Sequence, residues 1–124
     1  IHADFYPDTE GPLAGFDFLT WLLPISNHFP RAHRQTYTRR LLDAAFDLRE
    51  HLEQANRRSG AERLVLLRLA DDDLDKVRLY LRLAERWNWL SAGQYAHVAV
   101  MLTEIGKLLG GWIKVSGKQA EKMA

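Results

Sequence analysis

Cysteine is absent from all 124 residues, which excludes disulfides and thiolate metal sites and fits a reducing cytoplasm. Apolar runs such as Leu64–Leu67 are short, whereas a membrane span needs ~20 residues. No signal-peptide pattern opens the sequence. Lys and Arg are missing from residues 1–30, which carry Asp4, Asp8, Glu10 and Asp17. Also missing are a phosphate loop, a dinucleotide fingerprint and a nucleophile elbow. No Glu is followed by His three residues on, as a di-metal carboxylate bundle requires. His2, His28, His33, His51 and His97 have no i, i+4 partner of their kind, so a helical zinc site is not expected. Each is read as a surface or capping residue. The expectation is a cytoplasmic binding module rather than an enzyme, with no cofactor and no metal.

What is present suits one globular domain, with 47% hydrophobic and 27% charged residues. The net charge of +1 hides an asymmetry. Of 16 acids, four precede residue 31, so the remaining 12 face all 17 basic residues, a net of +5 over residues 31–124. A basic body is a modest pointer to polyanions.

Residues 1–12, with Pro7, Gly11 and Pro12, show no helical period and are expected to form an irregular or extended arm. A four-helix bundle is expected over 13–115 and a polar tail over 116–124. Phe18, Leu22, Ile25 and Phe29 recur at 4, 3 and 4 on a first helix that Pro24 kinks or shortens. Pro30 opens a second helix read from Arg31 to Arg58, with Tyr37, Leu41, Ala44, Leu48, Leu52 and Ala55 inward. Its ~28 residues would span ~42 Å. The third helix, 61–87, carries the heptad Leu67, Ala70, Leu74, Val77, Leu81 and Ala84, the seam of near-parallel packing. Ser91 and Gln94 form a capping box. Tyr95, Val98, Leu102, Ile105, Leu109 and Trp112 then line the fourth helix. Long helices joined by tight links are antiparallel neighbours, so the fold class is all-α, an antiparallel up-down four-helix bundle.

Leu66, Leu69, Tyr80, Leu83 and Trp87 make a second apolar stripe on helix three. Either helices one and four cover it, or it is a subunit interface. Ala99, Thr103, Gly106 and Gly110 form a smooth strip on helix four. An interior Gly costs about 1 kcal/mol relative to Ala, so another backbone is expected to approach there, within the bundle or from a second subunit.

The run Asp71, Asp72, Asp73 and Asp75 is read as a solvated face with local pairs Arg68–Asp72, Asp72–Lys76 and Asp75–Arg78. A metal-dependent enzyme built on it is the weak alternative, because the four side chains point around the helix. The arginines say more. Arg31, Arg34, Arg39 and Arg40 stand in an acid-free window, 31–40, at a helix start; a cation in the first turn costs about 0.3–1 kcal/mol, so helix stability does not explain Arg31 and Arg34. Arg78, Arg82 and Arg86 lie at i, i+4, i+8 on helix three, and Lys107 and Lys114 add positive charge on helix four. Guanidinium groups suit phosphate. Aromatic residues are not interleaved with the basic ones as a single-strand stacking platform needs, so contact is expected mainly with the nucleic-acid backbone.

Leu23-Pro24, Phe29-Pro30-Arg31, Leu81-Arg82-Leu83-Ala84, Leu90-Ser91 with Tyr95, Glu104-Ile105-Gly106 and, most specifically, Leu109-Gly110-Gly111-Trp112-Ile113-Lys114 resemble the Avd proteins. These are accessory variability determinants of diversity-generating retroelements. Their wider family includes proteins encoded in intervening sequences of 23S ribosomal RNA genes. The resemblance spans about residues 16–114. It implies a bacterial or phage-encoded, non-catalytic protein whose bundles assemble into a barrel-like homopentamer. It also implies binding to a retroelement reverse transcriptase and to RNA and DNA, in support of mutagenic retrohoming. Arg31 and Arg82 are the basic positions inside the matching motifs. The alternative is a structural helical oligomer of the intervening-sequence type with no direct nucleic-acid role.

Overall fold

The computed structural model describes residues 14–123; the arm read over 1–12 lies outside them. Four long helices follow in order: α1 (Ala14–Ser26), α2 (Arg39–Asn56), α3 (Gly60–Arg86) and α4 (Ala92–Met123), with no strand among the described residues. α3 packs against α2 on one side and α4 on the other, while α1 lies against α4 and α2. This is a four-helix bundle.

Its core is the set of heptad positions. Leu67, Ala70, Leu74, Val77, Leu81 and Ala84 of α3 are all fully buried, facing Leu41, Ala44, Leu48, Leu52 and Ala55 of α2. Val98, Leu102, Ile105, Leu109 and Trp112 supply α4's share, and Phe18 and Leu22 that of α1. Pro24 is tolerated within α1 near its C-terminus.

The second helix departs from the expected single rod. Arg31–His33 form one 3₁₀ turn and Arg34–Thr38 a π turn before regular α-helix begins at Arg39. Pro30 donates no backbone hydrogen bond. No side chain caps either turn, and the arginines oppose the helix dipole. The wider π turn carries Tyr37, buried, whose hydroxyl donates to the backbone carbonyl of Tyr80 on α3. Burial, reinforced by the neighbouring Tyr80 phenol, pushes the Tyr37 pKa far up and keeps it a neutral donor.

The α2–α3 link is closed by a buried cation. Gly60 adopts φ 60°, and Arg63, 1% exposed, turns back so that Nε donates to Ala55 O at 2.9 Å and Nη2 to Asn56 O at 3.5 Å. A guanidinium thus satisfies the last carbonyls of α2, which also carry partial negative charge. The α3–α4 link is a Schellman turn: Trp89 N–H donates to Ala84 O at 2.8 Å and Asn88 N–H to Glu85 O at 3.1 Å. Asn88 takes the left-handed position, φ 63°. The capping box follows as expected, with Gln94 N–H donating to Ser91 Oγ at 3.1 Å and Ser91 N–H to Gln94 Oε1 at 2.9 Å. Residues 116–123, read as a tail, continue α4 without a break, and Ser116 is buried.

Candidate nucleic-acid interface

The expected basic residues fall into three places. Arg78 and Arg82 line a groove of about 140 Å³ between α3 and α4, together with Tyr95, Ala99 and Thr103 over a floor of Leu81 and Leu102. Thr103 Oγ1 donates to Ala99 O at 2.8 Å, leaving its lone pairs free to accept. Arg78 Nη1 lies 3.5 Å from Asp75 Oδ1. Its guanidinium rests over Gly106, where a Cβ would stand 2.5 Å from Nη2. The glycine strip is therefore used within the bundle at this position, by a side chain rather than a backbone. A Cβ on Gly110 would meet nothing within 4 Å. Thr103, Lys107, Gly110 and Lys114 follow one another at 4, 3 and 4 along α4, and both lysines are exposed.

Arg31 and Arg34 occupy the 3₁₀ and π turns, with Arg39 and Arg40 at the start of α2, and all four are exposed. Arg39 Nη1 reaches Gln35 Oε1 at 3.5 Å. Arg86 ends α3. Among the described residues Arg31, Arg34, Arg40, Arg82 and Arg86 have no carboxylate within 4.0 Å. Structural ion pairing therefore does not account for them.

The acidic run is split. Asp71, Asp72 and Asp75 are exposed, whereas Asp73 is buried and bonds His51 of α2, Nδ1 to Oδ2, at 2.6 Å. Desolvation is the chief reason that the Asp73 pKa is raised, with the His51 hydrogen bond opposing it. Of the expected local pairs only Asp75–Arg78 forms. No three His, Asp or Glu among the described residues converge as metal ligands. His51 corrects the reading of every histidine as a surface or capping group: it is half-buried and ties α2 to α3.

Aromatic residues that are scattered along the chain gather at one end of the bundle. The Schellman turn folds Trp89 back over the end of α3. There it meets Tyr37 at 4.9 Å between ring centroids, Trp87 at 5.0 Å and Phe29 at 6.0 Å. His33 stacks on Trp89 nearly parallel, 16° between planes at 5.6 Å. Tyr80 and Trp87, read as parts of an interface stripe, both pack edge-on against Tyr37. The rest of that stripe behaves differently: Leu66 and Leu83 are half-buried and Leu69 is 42% exposed. Val65 and Leu79, also exposed, extend the uncovered face. Trp87-x-Trp89 beside Arg86, and His33 beside Arg34, were the available sequence signals. Their meeting depends on the two turns that bring distant segments together.

A family model described as bAvd-like matches residues 16–116. The chain belongs to the bAvd-like family. No curated protein and no solved structure matches it. The bAvd-like match covers every motif from Leu23 to Lys114, the α3–α4 groove and the aromatic end. No helix among the described residues is long and apolar enough to cross a membrane.

Proposed function

We propose that this bAvd-like chain is a non-catalytic accessory protein of a diversity-generating retroelement. In this reading it binds the element's reverse transcriptase and the template RNA and cDNA, the nucleic acids through its basic faces. Family membership supports the accessory role. The observation that carries nucleic-acid contact is the set of exposed arginines with no carboxylate partner, Arg31, Arg34, Arg82 and Arg86. A row of unneutralised guanidinium groups repels itself unless an anion is supplied from outside, and phosphate suits their fork geometry. Assembly into a homo-oligomer, a pentamer in the Avd manner, is part of this reading. The face of Val65, Leu69 and Leu79 on α3 gives a second copy apolar surface to cover.

The test is the double variant Arg82→Gln/Arg86→Gln. Each phosphate contact releases counterions, so log affinity falls with log salt by about 0.7–0.9 per contact. The variant should bind RNA and DNA more weakly and flatten that slope by roughly one to two units, with helicity and assembly unchanged. An unchanged slope would remove these arginines from the interface. Dissociation of the oligomer would assign them to subunit contacts, as the purely structural alternative requires.

A further inference from the structure

We propose that the aromatic end of the bundle is a stacking site for an unpaired nucleobase, with Trp87 as its exposed platform. This makes the protein a reader of single strands rather than of duplex. The inference rests on the nucleic-acid reading above and adds a chemical class to it.

Trp87 leaves 46% of its surface exposed although it packs against two aromatic rings, Tyr37 and Trp89. Leaving so large an apolar ring half in water forgoes burial worth about 25 cal/mol per Å². The local geometry holds it there. Asn88 accepts the left-handed conformation, the Schellman hydrogen bonds fix Trp89, and Tyr37 is locked beneath both by its bond to Tyr80 O. A rigid, pre-positioned ring loses little freedom when a partner stacks on it. The nearly parallel His33–Trp89 pair shows that this cluster already takes a flat nitrogen heterocycle face to face.

Charge selects the occupant. The rings of this end come from residues 29–37 and 80–89. These contain a single acid, Glu85, against Arg31, Arg34, Arg82 and Arg86. An apolar helix or an acidic peptide would satisfy the rings or the charges alone. A base followed by its phosphates satisfies both, with the ring on Trp87 and the backbone running toward Arg86 or toward Arg31 and Arg34. In a duplex the bases are already stacked on one another, so this site is closed to them, and backbone contact is all that remains.

The experiment uses the full chain, titrated with fluorescein-labelled 20-mers: oligouridylate, oligothymidylate and a mixed-sequence duplex. Anisotropy reports affinity, and indole emission reports stacking. Wild type should bind both single strands more tightly than duplex, with quenching of tryptophan emission. Trp87→Leu should lose roughly five- to a hundredfold in single-strand affinity, the range of one stacked base, and leave duplex affinity within about twofold. Trp87→Tyr, which restores a stacking face, should recover most of the loss. A preference for oligouridylate over oligothymidylate assigns the site to RNA; equal loss on both assigns it to either strand chemistry. The inference is overturned if Trp87→Leu affects single strands and duplex alike, if it affects neither, or if it changes oligomer mass, which would make the ring a subunit contact. If wild type binds all three probes and the variant is silent, only the stacking site fails. If wild type binds none of them, the nucleic-acid reading fails with it.

Discussion

His51 Nδ1 sits 2.6 Å from the carboxylate of Asp73, bridging α2 and α3 at the edge of the packed core. Desolvation of this carboxylate outweighs the histidine's help, so the Asp73 pKa is raised above its ordinary value. Asp47 adds to the rise and Lys76 opposes it. A folded pKa above the unfolded one means that the native state holds its proton more tightly. The Asp73 contribution to stability is then largest at low pH, and it diminishes as pH climbs through the raised pKa. Asp73→Asn keeps an acceptor for His51 and removes the buried charge. Because the native state favours the neutral carboxyl, this substitution is expected to be neutral or mildly stabilising at pH 7. The advantage should shrink as pH falls through the raised pKa. Urea unfolding followed by circular dichroism from pH 3.5 to 7.5 measures it; a variant less stable than wild type at pH 7 would show that the ion pair outweighs burial.

Arg63 is another buried charge, and it has no such ambivalence. Its guanidinium donates to Ala55 and Asn56 carbonyls at the end of α2 and lies 5.4 Å from the centre of the Trp112 ring. Arg63→Met retains the aliphatic stem but removes the side-chain donor to Asn56 O and leaves Ala55 O with the Arg58 N–H at 3.2 Å. A loss of about 2–3 kcal/mol is expected, in the range for hydrogen bonds from a charged group. Chemical denaturation gives the number directly, and a cost below about 1 kcal/mol would mean that water replaces the guanidinium.

Asn88 stands at φ 63°, the one non-glycine residue described with positive φ. The left-handed region costs a side chain with a Cβ roughly 1–2 kcal/mol, and Asn is among the residues that best tolerate it. Asn88→Gly should therefore leave stability and the Trp87–Trp89 geometry intact, whereas Asn88→Ala should destabilise by about 1 kcal/mol. Near-ultraviolet circular dichroism, dominated by the aromatic cluster, checks both. An altered spectrum in Asn88→Gly would mean that the Asn side chain itself orders the turn.

The two glycines of the α4 strip separate two kinds of packing. A Cβ on Gly106 meets the Arg78 guanidinium, a flexible end that can move aside, while a Cβ on Gly110 meets nothing. Helix propensity alone would make Gly110→Ala about 1 kcal/mol more stable. If a second copy approaches at Gly110, the substitution should instead weaken assembly while helicity rises. Sedimentation velocity at several concentrations distinguishes these outcomes; an unchanged mass distribution would take Gly110 out of the interface.

Periodicity made the core legible. Every heptad position of helix three proved buried, because a 3, 4 spacing on a long helix can only form one continuous seam. The capping box at Ser91 was equally local and equally visible. Three features were not legible, each for a physical reason. The π turn at Arg34–Thr38 reflects Tyr37 reaching across to Tyr80, a tertiary bond with no trace in local spacing. The His51–Asp73 pair joins residues 22 apart in sequence, on faces that charge patterning alone assigned to solvent. The aromatic end assembles Phe29, His33, Tyr37, Trp87 and Trp89 from two segments, and only the Schellman turn and the π turn bring them together. The basic residues were found from composition. Their lack of carboxylate partners required the fold.

That lack of partners makes a prediction about the conflict between stability and function. Arg31 and Arg34 lie at the positive end of the helical segment leading into α2, exposed and without an ion pair among the described residues. Each opposes the helix dipole at a cost of about 0.3–1 kcal/mol at low salt. The double variant Arg31→Gln/Arg34→Gln should accordingly be more stable than wild type by roughly 0.5–2 kcal/mol, with the gain fading as salt screens the dipole. If these arginines hold phosphate, the same variant should bind RNA and DNA more weakly and lose roughly one to two units of salt slope. Thermal melts and binding isotherms at 50, 150 and 300 mM salt would be run on one preparation. A gain in stability with unchanged nucleic-acid affinity would show that the charges serve another partner. A loss of stability would show that they contact the fold itself, and would move the binding surface to the α3–α4 groove of Arg78 and Arg82 alone.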